Sequence, residues 1–253
     1  MKAEDRQRTI DHGQPATNLT VVSSVLCFVS CVLCLFSIQS CKPDNNNFIA
    51  DYSYDYAPID SGHYVIYDVD SISYSNVRDT AKYQLMEIIG DTIYDNEGAL
   101  CYELNLYRRA NSFSSWAEDR KWKVKRTQLN FQKTEDDVTF VKLVFPPTQD
   151  ADWNGNIYVP TTTIYKVFED WDYHYSAVNA AFAINGFTFD STITVSEVDN
   201  ENLIEKTLRK EVYAKNVGLV YQEWEVLTKN VTDNWETGPR TGFRIRMKLA
   251  EHN

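Results

Sequence analysis

The residues best spaced to do chemistry are Asp150, Asp152 and Asn154. In Asp150-Ala-Asp152-Trp-Asn154-Gly155-Asn156-Ile157, oxygen ligands stand first, third and fifth, glycine sixth and an aliphatic residue eighth. That is the pattern of a loop that wraps calcium. Its twelfth position is Thr161, where such a loop needs a bidentate carboxylate. An acidic loop running into an Asn-Gly turn accounts for the same residues. No metal or other cofactor is therefore expected, and calcium is the alternative. Beyond residue 40 the histidines are His63, His174 and His252, none spaced with another His, Cys or carboxylate as zinc requires. The chain has no Gly-x-Ser-x-Gly, His-Glu-x-x-His, phosphate loop or dinucleotide fingerprint. Acid pairs such as Asp136-Asp137 are what any acidic chain offers, and a glycosidase pair cannot be picked out from sequence alone. No catalytic residue is nominated, and no enzymatic activity is expected.

The other chemical candidate is Cys41. Val21–Ile38 is an uncharged apolar run, with Lys2, Arg6 and Arg8 before it and Glu4, Asp5 and Asp11 diluting them. A positive start, a short apolar run and small residues before a cut make an export signal. Ile38-Gln39-Ser40-Cys41 resembles the lipobox of bacterial lipoproteins. The resemblance implies cleavage before Cys41, a diacylglycerol on its thiol and an acyl chain on its new amine, enough chains for stable anchoring. Residues 1–40 then form a lipoprotein signal peptide, 41–55 a polar tether and 56–253 one domain. An uncleaved span is the alternative, since about 20 apolar residues cross a bilayer. Either way the basic N-terminal flank puts the domain outside the cytoplasm. The expected place is the cell envelope, at the outer membrane, with its periplasmic and surface faces both open. Cys27, Cys31 and Cys34 fall inside the apolar run, which leaves Cys101 without a partner, in a strand pattern that suggests a buried thiol.

Without residues 1–40 the chain keeps 22 Lys+Arg against 33 Asp+Glu, a net charge of −11. That argues against nucleic acid as a partner and against adsorption to an anionic bilayer, so the membrane would be reached through the anchor alone. Tyrosine, phenylalanine, valine, isoleucine and threonine recur in alternating runs, which favours strands. Strands are expected at His63–Asp70, Ala81–Ile89 with an extension over Thr92–Tyr94, Ala99–Arg109, Lys121–Arg126, Val138–Phe145, Thr188–Val198, Val217–Leu227 and Gly242–Leu249. Ile164, Val167, Phe168, Trp171, Tyr175, Val178 and Phe182 recur at three- and four-residue steps, so a helix on the sheet is expected over Ile164–Phe182. Its residue types prefer strands, and Leu203–Ala214 shows a weaker form of the same ambiguity.

Three segments resemble a family of Bacteroidota cell-envelope lipoproteins of unknown function. They are the opening Pro58-Ile-Asp-Ser-Gly-His-Tyr-Val-Ile-Tyr67, the central Trp153-Asn-Gly-Asn156 and the closing Tyr213-Ala-Lys-Asn-Val-Gly-Leu-Val-Tyr-Gln-Glu223. The closing motif is also similar to that of periplasmic, lipoprotein-carrier-like proteins with an open antiparallel barrel. The resemblance implies an antiparallel sheet curled into an open or half barrel, and with the strand and helix patterns above the expected fold is mainly β with one or two helices packed on that sheet. From the residues alone the motifs are structural: Asn154-Gly155 marks a turn and Gly218 a bend or close backbone approach.

Ser71, Thr80, Thr92 and Ser191 each follow an aspartate and precede Ile, Ala, Ile and Thr. These tripeptides resemble the O-glycosylation site of exported Bacteroidota proteins, and ordinary turn chemistry gives the same pattern. The functional expectation is non-catalytic binding of an apolar, lipid-like ligand or an envelope partner. A purely structural scaffold is the alternative within that class. Glycan binding on exposed platforms such as Trp116, Trp122 or Trp171 is the alternative outside it.

Overall fold

The computed structural model describes residues 51–253 except 76–77 and 163–164. Cys41, the signal peptide and most of the tether lie outside the described residues. The remainder is a single antiparallel sheet of twelve strands. In chain order they are β1 Tyr64–Tyr74, β2 Asp79–Tyr94, β3 Leu100–Arg109, β4 Ala117–Arg126, β5 Asn130–Glu135, β6 Val138–Val144, β7 Asp152–Trp153, β8 Tyr173–Ile184, β9 Phe187–Glu201, β10 Glu205–Ala214, β11 Gly218–Lys229 and β12 Arg240–His252. The spatial order is β6-β5-β4-β3-β2-β1-β12-β11-β10-β9-β8-β7. Two six-stranded meanders thus join where β1 pairs with β12, and β6 and β7, consecutive in the chain, end up on opposite edges.

The sheet curls until those edges meet. Register shifts in the β1–β12, β2–β3, β3–β4, β5–β6 and β10–β11 pairings supply bends, since an extra residue on one strand kinks it and increases its twist. The result is a nearly closed barrel with one seam, between β6 and β7–β8. A backbone hydrogen bond crosses the seam from Val141 N–H to the Gly155 carbonyl at 2.8 Å. Side chains do the rest. The Trp153 indole donates to the Val141 carbonyl at 2.8 Å. The Tyr175 hydroxyl donates to the Val144 carbonyl at 2.7 Å and accepts from the Val144 N–H at 2.9 Å.

A barrel of twelve strands is wider than the eight whose interior ordinary side chains fill. This lumen is filled by long residues. Tyr56, Tyr67, Tyr173, Tyr175, Lys142, Glu197 and Glu211 are among the most deeply buried side chains. The four tyrosines belong to one core cluster with Val65, Leu104, Leu106, Leu143, Ile193, Val195 and Leu249, while Lys142, Glu197 and Glu211 meet one another.

The helix expected over Ile164–Phe182 is not there. A 3-10 turn covers Lys166–Phe168 and a strand covers Tyr173–Ile184. The reason lies in β8 itself, whose pairing with β9 slips between Tyr175 and Ala177, Val178 and Ala180, and Ala180 and Phe182. The first two slips add a residue on β8 and the third adds one on β9. Tyr175 and Val178, opposite Val195 and Ile193, therefore share a face at a spacing of three, as they would on a helix. The helical part of the fold expectation is thus corrected: the described elements besides strands are two 3-10 turns, the other at Tyr54–Tyr56. Leu203–Ala214 resolves into β10. The sequence reading also passed over β5, which pairs β4 with β6.

Tyr54 and Asp55, placed by sequence in the tether, pack onto the barrel. The Tyr54 hydroxyl donates to the Gln128 carbonyl at 3.0 Å, and the Asp55 carbonyl accepts from Asn216 N–H at 2.7 Å. This N-terminal segment shuts one end of the lumen.

Candidate functional site

The opening and closing motifs, some 150 residues apart in the chain, come together at that shut end. The Tyr67 hydroxyl donates to the Leu219 carbonyl at 3.0 Å, and His63 Nε2 lies 3.0 Å from the Val217 carbonyl. Gly218 has φ +87°, and a Cβ there would meet Pro58 at 3.4 Å. The positive φ asks for glycine, while the Pro58 contact would be an ordinary one. Beneath this lid is a cavity of about 60 Å³, lined by Val65, Ile89, Leu104, Val124 and Phe131 and floored by Lys133, Lys142, Glu87 and Glu211. It has room for about four waters at about 15 Å³ each.

The central motif belongs to the seam. Besides the Trp153 and Gly155 contacts across it, Asn156 donates to the Phe168 carbonyl at 2.8 Å and accepts from the buried Tyr173 hydroxyl at 3.0 Å. Gly155 is not in the positive-φ conformation expected of an Asn-Gly hairpin turn. It is glycine because the Tyr173 ring lies on it: a Cβ would come within 2.4 Å of that ring.

Across the middle of the lumen runs an ionic layer. Lys142 of β6 contacts Glu197 of β9 and lies 2.7 Å from Glu211 of β10. Arg209 Nε stands 3.1 Å from Glu197 and its Nη2 3.6 Å from Glu211. The Tyr213 hydroxyl donates to Glu211 at 2.5 Å. On the facing wall Lys133 pairs with Glu87 at 2.8 Å and Glu135 at 3.6 Å. Desolvation of this many charges is tolerable only because each has an opposite partner. The two carboxylates that share Lys142 differ. Burial pushes the Glu197 carboxyl up, and neighbouring Glu211 adds to it, against the pull of Arg209 and Lys142. Burial opposes ionisation of Glu211 as well, but Lys142, Arg209 and the Tyr213 hydroxyl outweigh it and hold that carboxyl at about 2. Among the described residues Glu197 Oε2 accepts no hydrogen bond, its contact with Arg209 Nε being ionic only.

These directions set the pH dependence. Glu211, depressed on folding, contributes stability above its ordinary value near 4.5, and that contribution is lost as pH falls from there toward 2. Glu197, raised on folding, costs stability while ionised and is relieved as pH falls. Glu211→Gln should therefore cost about 3 kcal/mol at pH 7 and Glu197→Gln under about 1 kcal/mol. Urea unfolding at pH 7 and pH 3 checks both, and the Glu211→Gln penalty should shrink at the lower pH. Equal penalties at pH 7 would contradict the assignment.

Beyond the ionic layer the lumen opens into a mouth of about 300 Å³. Phe140, Tyr165 and Phe168 line one side, Leu106, Ile245 and Met247 the other, and Trp122 and Trp224 stand between them. Four cations lie against rings here. Arg108 stacks 3.7 Å from the centre of Tyr83, Lys133 and Arg120 lie 4.7 and 5.7 Å from Trp122, and Arg209 lies 4.7 Å from Trp224. The sequence signal for this interior was a charge on an otherwise apolar strand face. Glu87 alternates with Tyr83 and Leu85, and Lys142 stands between Phe140 and Val144.

Of the residues nominated from sequence, Trp122 stands in the mouth and the others lie elsewhere. Asp150 Oδ1 accepts from Gln149, Asp152 sits in β7 opposite His174, and Asn154 Oδ1 accepts from Asn156 N–H. The Asp150 and Asn154 oxygens thus have local partners. Thr80 and Thr92 are exposed on β2. Ser71 is half-buried in β1, and the Ser191 hydroxyl is engaged with Tyr56 at 2.7 Å and Asn179 at 3.1 Å. Cys101 is buried, and burial pushes its thiol up. Of the glycan platforms, Trp171 is buried, Trp122 has the two cations on it, and Trp116 carries Arg109 at 4.1 Å.

No protein-family model matches the sequence, and no curated protein matches it. Among solved structures the chain is similar to a protein of Bacteroides fragilis described as a candidate exported protein with a YmcC-like fold. The identity is 9%, the similarity covers 77% of this chain and 98% of that one, and the TM-score is 0.37. A likeness at that level says nothing about function.

Proposed function

We propose that this protein is a lipid-anchored, non-catalytic binding module of the cell envelope whose ligand site is the open mouth of the barrel. The observation that carries this reading is the asymmetry of the lumen. One end is shut by the N-terminal segment and the paired motifs, the middle is barred by ions, and the other end is a half-apolar recess of about 300 Å³. That volume is at the lower bound of small-molecule sites, about 300–1,000 Å³, while the cavity of about 60 Å³ under the paired motifs falls far below it. A lipid-like ligand would have to lie in the mouth, not in the shut end. The fixed carboxylates of the ionic layer, each turned to a lysine, arginine or tyrosine, favour a structural role for that layer over a catalytic one. The apolar run ending in Cys41 and the lipobox resemblance support the anchor and the extracytoplasmic place. The filled lumen below the mouth favours the second reading, a scaffold without ligand.

One experiment addresses anchor and ligand together. The protein is extracted from the membranes of a related bacterium in mild detergent and weighed by native and then denaturing mass spectrometry. The expected result is a lipid-sized covalent increment that survives denaturation and vanishes in Cys41→Ala, plus a smaller adduct that denaturation removes. A native mass equal to the acylated polypeptide, on folded protein, would move the assignment to the scaffold.

A further inference from the structure

The barrel carries another recess, on its outer face and unlike the mouth in chemistry. The register sets Lys123 opposite Thr134, Lys125 opposite Gln132 and Thr134 opposite Thr139. Alternation turns these side chains away from the lumen. Their chain neighbours Val124, Phe131 and Lys133 line the cavity under the paired motifs, and Val138 and Phe140 line the mouth. The turn after β2 and Tyr158, from the loop after β7, enclose this polar stripe in a recess of about 310 Å³. Its charges cancel. Asp95 and Lys125 pair at 2.8 Å, and Lys125 with the Ala99 and Glu97 N–H groups holds the Asp95 carboxyl at about 2. Glu97 and Lys123 add one charge of each sign, so no net field selects an ion here. The neutral groups keep hydrogen-bonding capacity. Gln132 spends an N–H on Asn130, and among the described residues its Oε1 accepts nothing. The Thr134 and Thr139 hydroxyls share one hydrogen bond at 2.9 Å, which leaves one O–H and lone pairs on both oxygens. Tyr158 is 57% exposed, and among the described residues no ring or cation lies on it. The platforms nominated from sequence differ: Trp116 and Trp122 carry cations and Trp171 is buried.

We propose that this outer recess is a carbohydrate site for a neutral sugar. A sugar ring offers an apolar C–H face and a rim of hydroxyls, each able to donate and accept. The face lies on the Tyr158 ring, whose apolar body suits it. The rim meets Gln132, Thr134 and Thr139, which can also donate and accept. An apolar ligand has little else to rest on, because Cys101 and Val124 in the lining are each 2% exposed. The mouth lies on the inner face of the same sheet, so the two sites can be tested apart.

The test applies the full-length protein, in phosphatidylcholine nanodiscs, to an array of neutral, sialylated and sulfated oligosaccharides, with empty nanodiscs as the blank. The strongest neutral binder is then titrated by saturation-transfer NMR. Neutral oligosaccharides are expected to bind in preference to charged ones. Tyr158→Ala, at an exposed position, should weaken that binding at least tenfold, and Tyr158→Phe, which keeps the ring, less than twofold. Thr139→Val, which removes one hydroxyl of the pair, should weaken it at least threefold. Lys123→Gln, which removes a charge, should change it less than twofold. Circular dichroism establishes that the variants are folded, and if Thr139→Val is not, Tyr158→Ala decides alone. Neutral binding unchanged in folded Tyr158→Ala would place the sugar elsewhere and overturn the proposal. A preference for charged oligosaccharides would overturn it as well. No neutral binder on the array would reduce the recess to a solvated stripe on the barrel wall.

Discussion

Replacing Lys142 by methionine should lower the stability of the barrel by about 3–5 kcal/mol, the usual cost of removing one partner from a buried ion pair. Methionine is of similar length and apolar, so packing changes little and the loss is electrostatic. Lys142 is 1% exposed and is the ammonium shared by Glu197 and Glu211. Without it the two carboxylates face one another with Arg209 alone between them. The location adds to the effect. Lys142 is on β6, one edge of the seam, while its partners are on the far side, so the pair also helps close the barrel. The Lys142→Met/Glu197→Gln double variant separates charge from packing. It deletes one charge of each sign, takes away the carboxyl that burial pushes up, and leaves Arg209 with Glu211. It should recover most of the loss, which equilibrium urea unfolding of the four members of the cycle would show as strong coupling. A single-variant cost below about 1 kcal/mol, or a double variant as weak as the sum of the singles, would mean the layer contributes little net stability.

The meander itself was legible because its strands mostly obey a period of two. Alternation puts Tyr83, Leu85 and Glu87 on one face of β2, and all three line the mouth. It puts Trp122 and Val124 on one face of β4, with Trp122 in the mouth and Val124 buried. The reading failed where the strand departs from that period. In β8 two extra residues break the alternation, and Asn179, at φ +54°, is at the second of them. The short β5 was missed because its inner face carries Lys133 and Glu135 beside Phe131, so its apolar signal is broken by charge. The ionic layer escaped for a related reason. A charged residue on an apolar face is visible in sequence, but its partner is not: Lys142 meets residues 55 and 69 positions away. Only the curl of the sheet selects them. The motifs were seen and their local roles partly inferred. That two of them meet at one end of the lumen, and that the third holds the seam, depends on the same closure.

Gly155→Ala should cost about 3 kcal/mol, though it adds a single methyl group to a position that sequence reads as an ordinary turn. The new Cβ would stand 2.4 Å from Cε1 of Tyr173. That ring has nowhere to go. Trp153 and Trp171 flank it with ring centres 5.9 and 6.3 Å away, and its hydroxyl is fixed on Asn156. The backbone at residue 155 must move instead, and its carbonyl then releases the Val141 N–H across the seam. Overpacking costs about 1–3 kcal/mol and a lost buried hydrogen bond adds about 1 kcal/mol. The signature is local as well as global. Hydrogen exchange at Val141 and Val144 should accelerate more than in the β1–β12 centre, because the seam rests on a few side chains where the centre has a full ladder. Gly98→Ala provides the contrast. Gly98 sits at φ +77° with open space around its Cα, so alanine there should cost about 1 kcal/mol of backbone strain and leave exchange at the seam unchanged. If Gly155→Ala were as mild as Gly98→Ala, Tyr173 would have room to yield, and the seam would be held by something other than this packed motif.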